Sequence, residues 1–475
     1  MRLLAFLFIL ATAPVVVLFA LAVPVGEVPD EAAHIERADS VRHGEIAGVR
    51  RALDPQAVSP VDVSVRIDMG ALAAGFAFTP GTPLVDKHLT QARVDTLRSI
   101  AWTNRLDWVR LSNTGVYPPF LYIPAAAAMQ LAKYLGHGPY VAVLAARLLN
   151  ALLYIAAGAA AIALALRGRP ILFALLCLPM SLSLAASINQ DGLVIACAAL
   201  AGALLTRPER RAWWCAALLL DLAAMAKPNL LPLALLVPVL TPGGWRNNRA
   251  RAGLGFTLAA GPAAIWTAAM ALFVATPFPR PPAQPGGPLW TGDLQRLFAT
   301  TDPAAQLHIL LEAPLRMITL PLAGLWEKGV WFWREAIGVI GTLDVVLPMP
   351  MYTAWTWALA AGLLAGLFES GRRPPDLRPT AAVIAVGGGV LAVWAICILQ
   401  YLSWTRVGAD VVEGLQGRYL IPIAALALPV ASLPILRRPP GAPLLRLLLS
   451  MPAVLMGLAG LAILPLVLVG AYYFR

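Results

Sequence analysis

The stretch LLAFLFILATAPVVVLFALAVPVGEVPDEAAHIER, residues 3–37, decides the fold class. Its first part, Leu3–Val25, carries no charge, and about 20 apolar residues suffice to cross the roughly 30 Å of bilayer hydrocarbon. Ala20-Leu21-Ala22 resembles a leader-peptidase site, but a leader's apolar core runs only about 7–15 residues. The block therefore reads as an uncleaved anchor, with Arg2 holding the N-terminus in the cytoplasm. Charge then arrives abruptly in Val28-Pro29-Asp30-Glu31-Ala32-Ala33-His34-Ile35-Glu36-Arg37.

Outward from this stretch the same pattern repeats. Of 475 residues, 59% are hydrophobic and 13% charged, with a mean hydropathy of +0.73. Soluble domains carry about 45–50% apolar and about 25% charged residues, so a soluble enzyme is excluded. Further apolar blocks lie at about 117–135, 139–166, 170–187, 189–206, 212–240, 252–276, 344–368, 379–402, 418–436 and 444–472. The sequence predicts an all-α polytopic membrane protein, one transmembrane domain over 1–475, with 11 crossings as drawn and 11–13 allowed. Two large extracytoplasmic loops are expected, 26–116 and 277–343, the second carrying an interfacial helix. In the first, Val61–Asp68 alternates and predicts one short strand. Turns are expected around Asp54-Pro55, Ser59-Pro60 and Gly81-Thr82-Pro83.

The net charge of +11 sits mostly in short loops, where cations orient helices. No aromatic-interleaved basic stretch suggests nucleic acid as a partner. Arg246/Arg249/Arg251, Arg372/Arg373/Arg378 and Arg437/Arg438/Arg446 fall inside under this count, whereas Arg167–Arg169 and Arg207–Arg211 fall outside. A re-entrant or doubled crossing at Lys227-Pro228-Asn229 would move one of these loops inward. The four cysteines lie in apolar blocks without disulfide or zinc spacing.

Five constellations carry candidate chemistry. Pro29 suits a first helical position, which puts Asp30, His34 and Arg37 on one face of a helix leaving the membrane. An acid in the first turn is favoured by the helix dipole, so one of Asp30 and Glu31 stays ionised as a base. Two ligands are too few for a metal site there. Asp191, in Ser187–Asp191, either caps a hairpin tip or faces a cavity. Lys227 interrupts a long apolar run and either pairs with Asp221 or Asp191 or meets a lipid head group. Trp326–Glu335 suits an interfacial helix and brings Arg334, with Asp344 beyond it. In Gln416-Gly417-Arg418-Tyr419, Gly417 lets backbones come close, and Arg418 either snorkels or grips a phosphate bidentately.

At these residues the chain resembles a bacterial family of multi-pass membrane proteins known as domain of unknown function 2142. The matching stretches are Pro29-Asp30-Glu31 with His34 and Arg37; Tyr117-Pro118-Pro119-Phe120-Leu121-Tyr122; Leu178-Pro179-Met180 leading to Asp191; Lys227-Pro228; Gly338–Asp344 with Pro348; and Gln416–Tyr419 with Pro422. More distantly the layout is similar to the C-type (GT-C) glycosyltransferases, in which an acidic residue or pair in the first outer loop is the base and a polyprenyl-phosphate sugar the donor. That resemblance implies Asp30 and Glu31 as catalytic candidates. It also implies Arg418 and Lys227 as phosphate binders.

His34, Arg37, Tyr117, Asp191, Arg334, Asp344, Gln416 and Tyr419 complete the expected substrate-binding set. The expected activity is transfer of a sugar from a polyprenyl-phosphate donor to an envelope glycan or lipid acceptor. It would occur at the periplasmic or outer face of a bacterial inner membrane. No cofactor is firmly implied; GT-C enzymes differ in needing a divalent metal. A flippase or exporter, or a polymerase of lipid-linked glycans, is the competing expectation.

Overall fold

The computed structural model describes residues 2–52, 61–76, 87–276, 301–368, 379–432 and 441–474. The three predicted turns in 53–60 and 77–86, and the arginines of 372–378 and 437–438, lie outside them.

The chain is an all-α polytopic membrane protein. α1 (Arg2–Ala22) leads into α2 (Glu31–Arg42). A small outer layer follows: β1 (Val49–Arg51), β2 (Asp62–Asp68), α3 (Met69–Gly75), α4 (Gln91–Ser99) and β3 (Leu106–Arg110), with the strands forming one antiparallel sheet in the order β1-β2-β3. The predicted strand is β2, in which only Arg66 is exposed. Its polar residues are buried because each has partners. Asp62 pairs with Arg110 at 2.8 Å, and Asp68 accepts from the backbone N–H groups of Gly70, Thr103 and Asn104.

The bundle continues with α5 (Ile123–Tyr134), α6 (Pro139–Leu164), α7 (Arg169–Leu176), α8 (Pro179–Ala185), α9 (Asp191–Leu205) and α10 (Arg210–Ala226). A 3₁₀ turn (Pro228–Leu235) then leads to α11 (Leu236–Val239) and α12 (Arg249–Ala269). After α13 (Pro303–Glu312) and α14 (Arg316–Gly338) come a hairpin, β4 (Val339–Ile340) and β5 (Val345–Val346), and α15 (Met349–Leu367). α16 (Pro379–Ser403), a 3₁₀ turn (Gly417–Tyr419), α17 (Leu420–Ala431) and α18 (Ala442–Tyr472) complete the described chain.

Among the described residues, five helices are long and apolar enough to cross a membrane: Leu3–Ala22, Pro139–Leu164, Arg249–Val274, Thr380–Ser403 and Ala442–Tyr472. The pair α13–α14, bent by 108°, makes a sixth if counted as one span. The remaining apolar blocks are short or broken where proline removes a helix donor, as at Pro179 and at Pro228 and Pro232.

Two expectations about the passes need correction. The block 117–135 does not make a full pass: its helix α5 has only 12 residues and packs on α6 and against α2, with Tyr122 against His34 and Gln130 against Arg42. The block 212–240 runs twice, because after Lys227 the chain folds back along α10. The Trp213 indole therefore donates to the Val237 carbonyl at 2.8 Å. One expected pass is lost and one gained.

This exchange also moves the discordant arginines. Arg207 donates to the Leu164 carbonyl, Gly168 packs on Pro429, and Arg169 and Arg446 line one cavity with Leu3. Arg167–Arg169, Arg207–Arg211 and Arg446 thus gather at one basic end, with the N-terminus of α1.

One apolar core joins α1, α6, α7, α8, α15 and α18. A second joins α9, α10, the Pro228 turn, α11, α12, α16 and α17. The 15 residues of α9 rise only about 22 Å, short of a roughly 30 Å hydrocarbon core. At the basic end the short passes start level with the long ones, since Thr206, just past α9, accepts from Leu166 N just past α6. From these lengths we infer a recess at the opposite end, where α9, α10 and α17 stop and the Asp30 side chain is 42% exposed.

Candidate functional site

The recess is built around Asp30. After α1 the chain turns at Gly26, whose φ of +87° and contact with the Gly75 carbonyl exclude a side chain. It then reaches Pro29 and Asp30. The helix begins at Glu31, two residues beyond the position expected for Pro29, and Asp30 is its N-cap in a left-handed conformation, φ 61° and ψ 8°. For a residue with a Cβ this conformation costs on the order of 1–2 kcal/mol, and such outliers concentrate at functional positions. The carboxylate makes no bond to its own helix. It pairs with Arg418 instead.

Backbone contacts hold this arrangement from several sides. The Pro29 carbonyl accepts from Arg418 at 3.2 Å and from the Asn189 amide at 2.8 Å. Arg418 stands on the 3₁₀ turn, which α14 supports: Gly417 N donates to Glu335 at 2.7 Å. A Cβ at Gly417 would strike the Phe332 carbonyl and Ala336 N. The close approach expected of Gly417 is the contact that sets Arg418.

From Arg418 the charges alternate. Its Nε lies 3.5 Å from Asp191 Oδ2, and Asp191 Oδ1 lies 2.8 Å from Lys227 Nζ. Lys227 sits over the Tyr419 ring at 4.7 Å and the Tyr117 ring at 5.8 Å. Asp30, Arg418, Asp191 and Lys227 therefore form a chain of two acids and two cations, drawn from the α1–α2 turn and the ends of α9, α10 and α17. Of the alternatives open for Lys227, Asp191 is its partner; Asp221 instead accepts from Ala263 N at 3.0 Å. Asp30 is the open member, its side chain 42% exposed against 2% for Arg418. Burial is the largest influence and raises the Asp30 pKa, but the attraction and hydrogen bond of Arg418, with His34, together leave the carboxyl below its usual value.

His34 lies one turn along α2, its Nδ1 2.6 Å from the Tyr122 hydroxyl and its ring stacked with Tyr117 and Tyr122. Burial pushes its pKa down to about 4, so the imidazole is neutral at physiological pH.

Other expected residues lie elsewhere or serve other contacts. Glu31, though adjacent to Asp30, is fully buried and paired with Arg147. It also accepts from Gly26 N and Ile188 N. Arg37 holds the loop by donating to the carbonyls of Tyr117 and Ile46. Among the described residues, the buried Gln416 Oε1 has no hydrogen-bond partner. Arg334 stands 5.9 Å over the Tyr352 ring, outside the charge chain. Asp344 belongs to a second cluster, in which Lys87 contacts Asp344 at 2.9 Å, Glu27 at 2.7 Å and the Thr342 hydroxyl at 2.8 Å.

Sequence reasoning passed over Arg147, Lys87, Glu27 and Asn189 as site-building residues. Arg147 had a signal: it is a lone charge inside the apolar block 139–166, where a cation is costly without a partner. It donates to the carbonyls of Ala20, Val23 and Pro24 as well as to Glu31. Among the described residues no three His, Cys, Asp or Glu side chains group as metal ligands.

A family model described as "Predicted membrane protein (DUF2142)" matches residues 14–427. No curated protein and no solved structure matches the chain.

Proposed function

The chain belongs to the DUF2142 family of membrane proteins, and from that premise we propose that it is a GT-C-like glycosyltransferase using a polyprenyl-phosphate sugar donor. One observation carries this reading: Asp30, the open acid, pairs with a buried arginine rather than capping its own helix. In the proposed resting state Arg418 neutralises the base. A donor phosphate entering the recess competes for Arg418 and reaches Lys227 beside it, and Asp30 is released with a higher proton affinity.

The acceptor hydroxyl then gives its proton to Asp30, its oxygen bonds to the anomeric carbon, and the bond from that carbon to the phosphate oxygen breaks. Polyprenyl phosphate leaves with the electron pair, its charge held by Arg418 and Lys227, and the anomeric centre inverts. Asp191 holds both cations in register. Tyr117, Tyr419 and neutral His34 line the approach for the sugar. Glu31 serves the fold rather than the chemistry in this scheme. The basic end would face the cytoplasm and the recess the periplasm, with an envelope glycan or lipid as acceptor.

The test is donor turnover by purified protein in detergent, with no membrane gradient. Asp30→Asn should keep expression and lower turnover by about 10²–10⁴-fold; unchanged turnover would exclude this base. Absence of turnover by the wild type, with transport of the intact lipid-linked glycan in vesicles, would favour a flippase or exporter working through the same charges. Accumulation of single repeats in a deletion strain would favour a polymerase, whereas full-length chains lacking one branch fit the transferase.

A further inference from the structure

Glu27, Asp30 and Glu31 put three carboxylates into the turn after α1, and each meets a cation from a distant part of the chain. Asp30 has Arg418, Glu31 has Arg147, and Glu27 has Lys87 at 2.7 Å. Asp30 is the exposed member; the other two acids and all three cations are buried. Lys87 is also fixed on its far side. Its ammonium reaches Asp344 Oδ2 at 2.9 Å and the Thr342 hydroxyl at 2.8 Å, so its three N–H donors meet three oxygens. Thr342 and Asp344 stand on the β4–β5 turn, which Gly341 and Leu343 bend with φ of +68° each. A Cβ at Gly341 would strike the Asp344 carboxylate and the Tyr472 hydroxyl. A leucine in this conformation is strained and persists only where its surroundings hold it. Two residues after Lys87, Leu89 N donates to the Tyr472 carbonyl at 2.8 Å, which ties the segment to the end of α18.

We propose that Lys87 is a positioning residue for Asp30, anchoring the turn through Glu27 when Arg418 is drawn away. This rests on the transferase reading, in which the donor phosphate takes Arg418 from Asp30. At that moment the turn loses one of its three ionic holds, and Asp30, left-handed, has no bond to its own helix. Glu27–Lys87 then holds the chain before Asp30, and Glu31–Arg147 holds it after. The Asn189 amide keeps the Pro29 carbonyl between them. Lys87 joins the turn to the β4–β5 hairpin and α18, whereas the donor's cations stand at the ends of α10 and α17. This hold therefore does not move with the donor. In this scheme Asp344 serves the anchor rather than the substrate.

Steady-state kinetics of the purified full-length protein with a polyprenyl-phosphate sugar test it. A base displaced by about 1 Å costs on the order of 10²-fold, so Lys87→Met should lower kcat by about 10–100-fold. KM for the donor should stay within about threefold, because Arg418 and Lys227 still meet the phosphate. Lys87→Met/Glu27→Gln also removes the stranded carboxylate, so it should regain the thermal midpoint but not kcat. Recovery of kcat along with stability would show that Lys87 serves the fold alone, and would overturn the proposal. Unchanged kcat in Lys87→Met would overturn it as well. A second readout needs no turnover. In a cysteine-free background, Asp30→Cys removes the Arg418 pair, and adding Lys87→Met should speed its labelling by an impermeant maleimide about fivefold or more. Equal labelling rates would overturn the anchor. A wild type that turns over no donor defeats the transferase reading, and the labelling then decides the anchor by itself. The double variant serves both measurements if Lys87→Met does not fold.

Discussion

Two adjacent carboxylates, Asp30 and Glu31, have opposite fates because one backbone angle separates them. The left-handed turn at Asp30 directs its side chain to Arg418 and the open recess, while Glu31, the first helical residue, points into the bundle against Arg147. Removing one partner of a buried pair typically costs 3–5 kcal/mol, since it strands the other charge. Glu31→Gln should therefore lower the thermal midpoint of the purified protein by several degrees. Asp30→Asn, at an open position, should lower it far less while removing turnover; equal destabilisation of the two would refute the division of roles. A third acid of α2, Glu36, is buried, which pushes its pKa up to about 8. Between about pH 4.5 and 8 the unfolded chain releases this proton and the folded chain keeps it, so Glu36 subtracts stability as pH rises through that window. The stability gained in Glu36→Gln should accordingly grow from pH 4.5 to pH 8 in thermal melts.

At the scale of elements, breaks and close approaches do the positioning. Lys227 leaves helical geometry with φ −135° and ψ 84°, because Pro228 disfavours a helical residue before it. That places its ammonium at the Asp191 end of α9 rather than inside a continuous helix. Gly417 performs the complementary task by letting the 3₁₀ turn rest on α14 without a gap. Gly417→Ala should push the turn from the Phe332 carbonyl and displace Arg418. The expected result is at least a tenfold loss of turnover with helical circular dichroism retained; an active, fully stable variant would show that the turn is free to shift. On α14, Trp326 is 92% exposed and Trp331 and Trp333 are 39% exposed, while Phe332 between them is buried.

At the scale of the whole molecule, the pass order separates a basic end from the recess. α5 decides this: counted as a crossing it would carry Tyr134 to the basic end, whereas beside α2 it keeps Tyr134 on the recess side, 84% exposed. In a cysteine-free background, Tyr134→Cys and Asn104→Cys should be labelled by an impermeant maleimide from the same side of the membrane, and Arg210→Cys from the other. Labelling of Tyr134→Cys together with Arg210→Cys would restore the crossing.

Composition and block length alone determined that this chain is a helical membrane protein with an acidic turn after its first apolar helix. Local motifs also marked Asp30, Asp191, Lys227 and Arg418, because charges beside or within apolar runs are costly unless they are used. What they could not determine was partnership. Hydropathy reads α5 and a true span alike, since both are apolar, and only its 12-residue length and its packing against α6 and α2 set it apart. Asp30 and Arg418 are 388 positions apart, a separation no periodicity spans. Their meeting, and the burial of Glu31 against Arg147, follow from how the ends of short helices converge, which is a property of tertiary packing and not of any single segment.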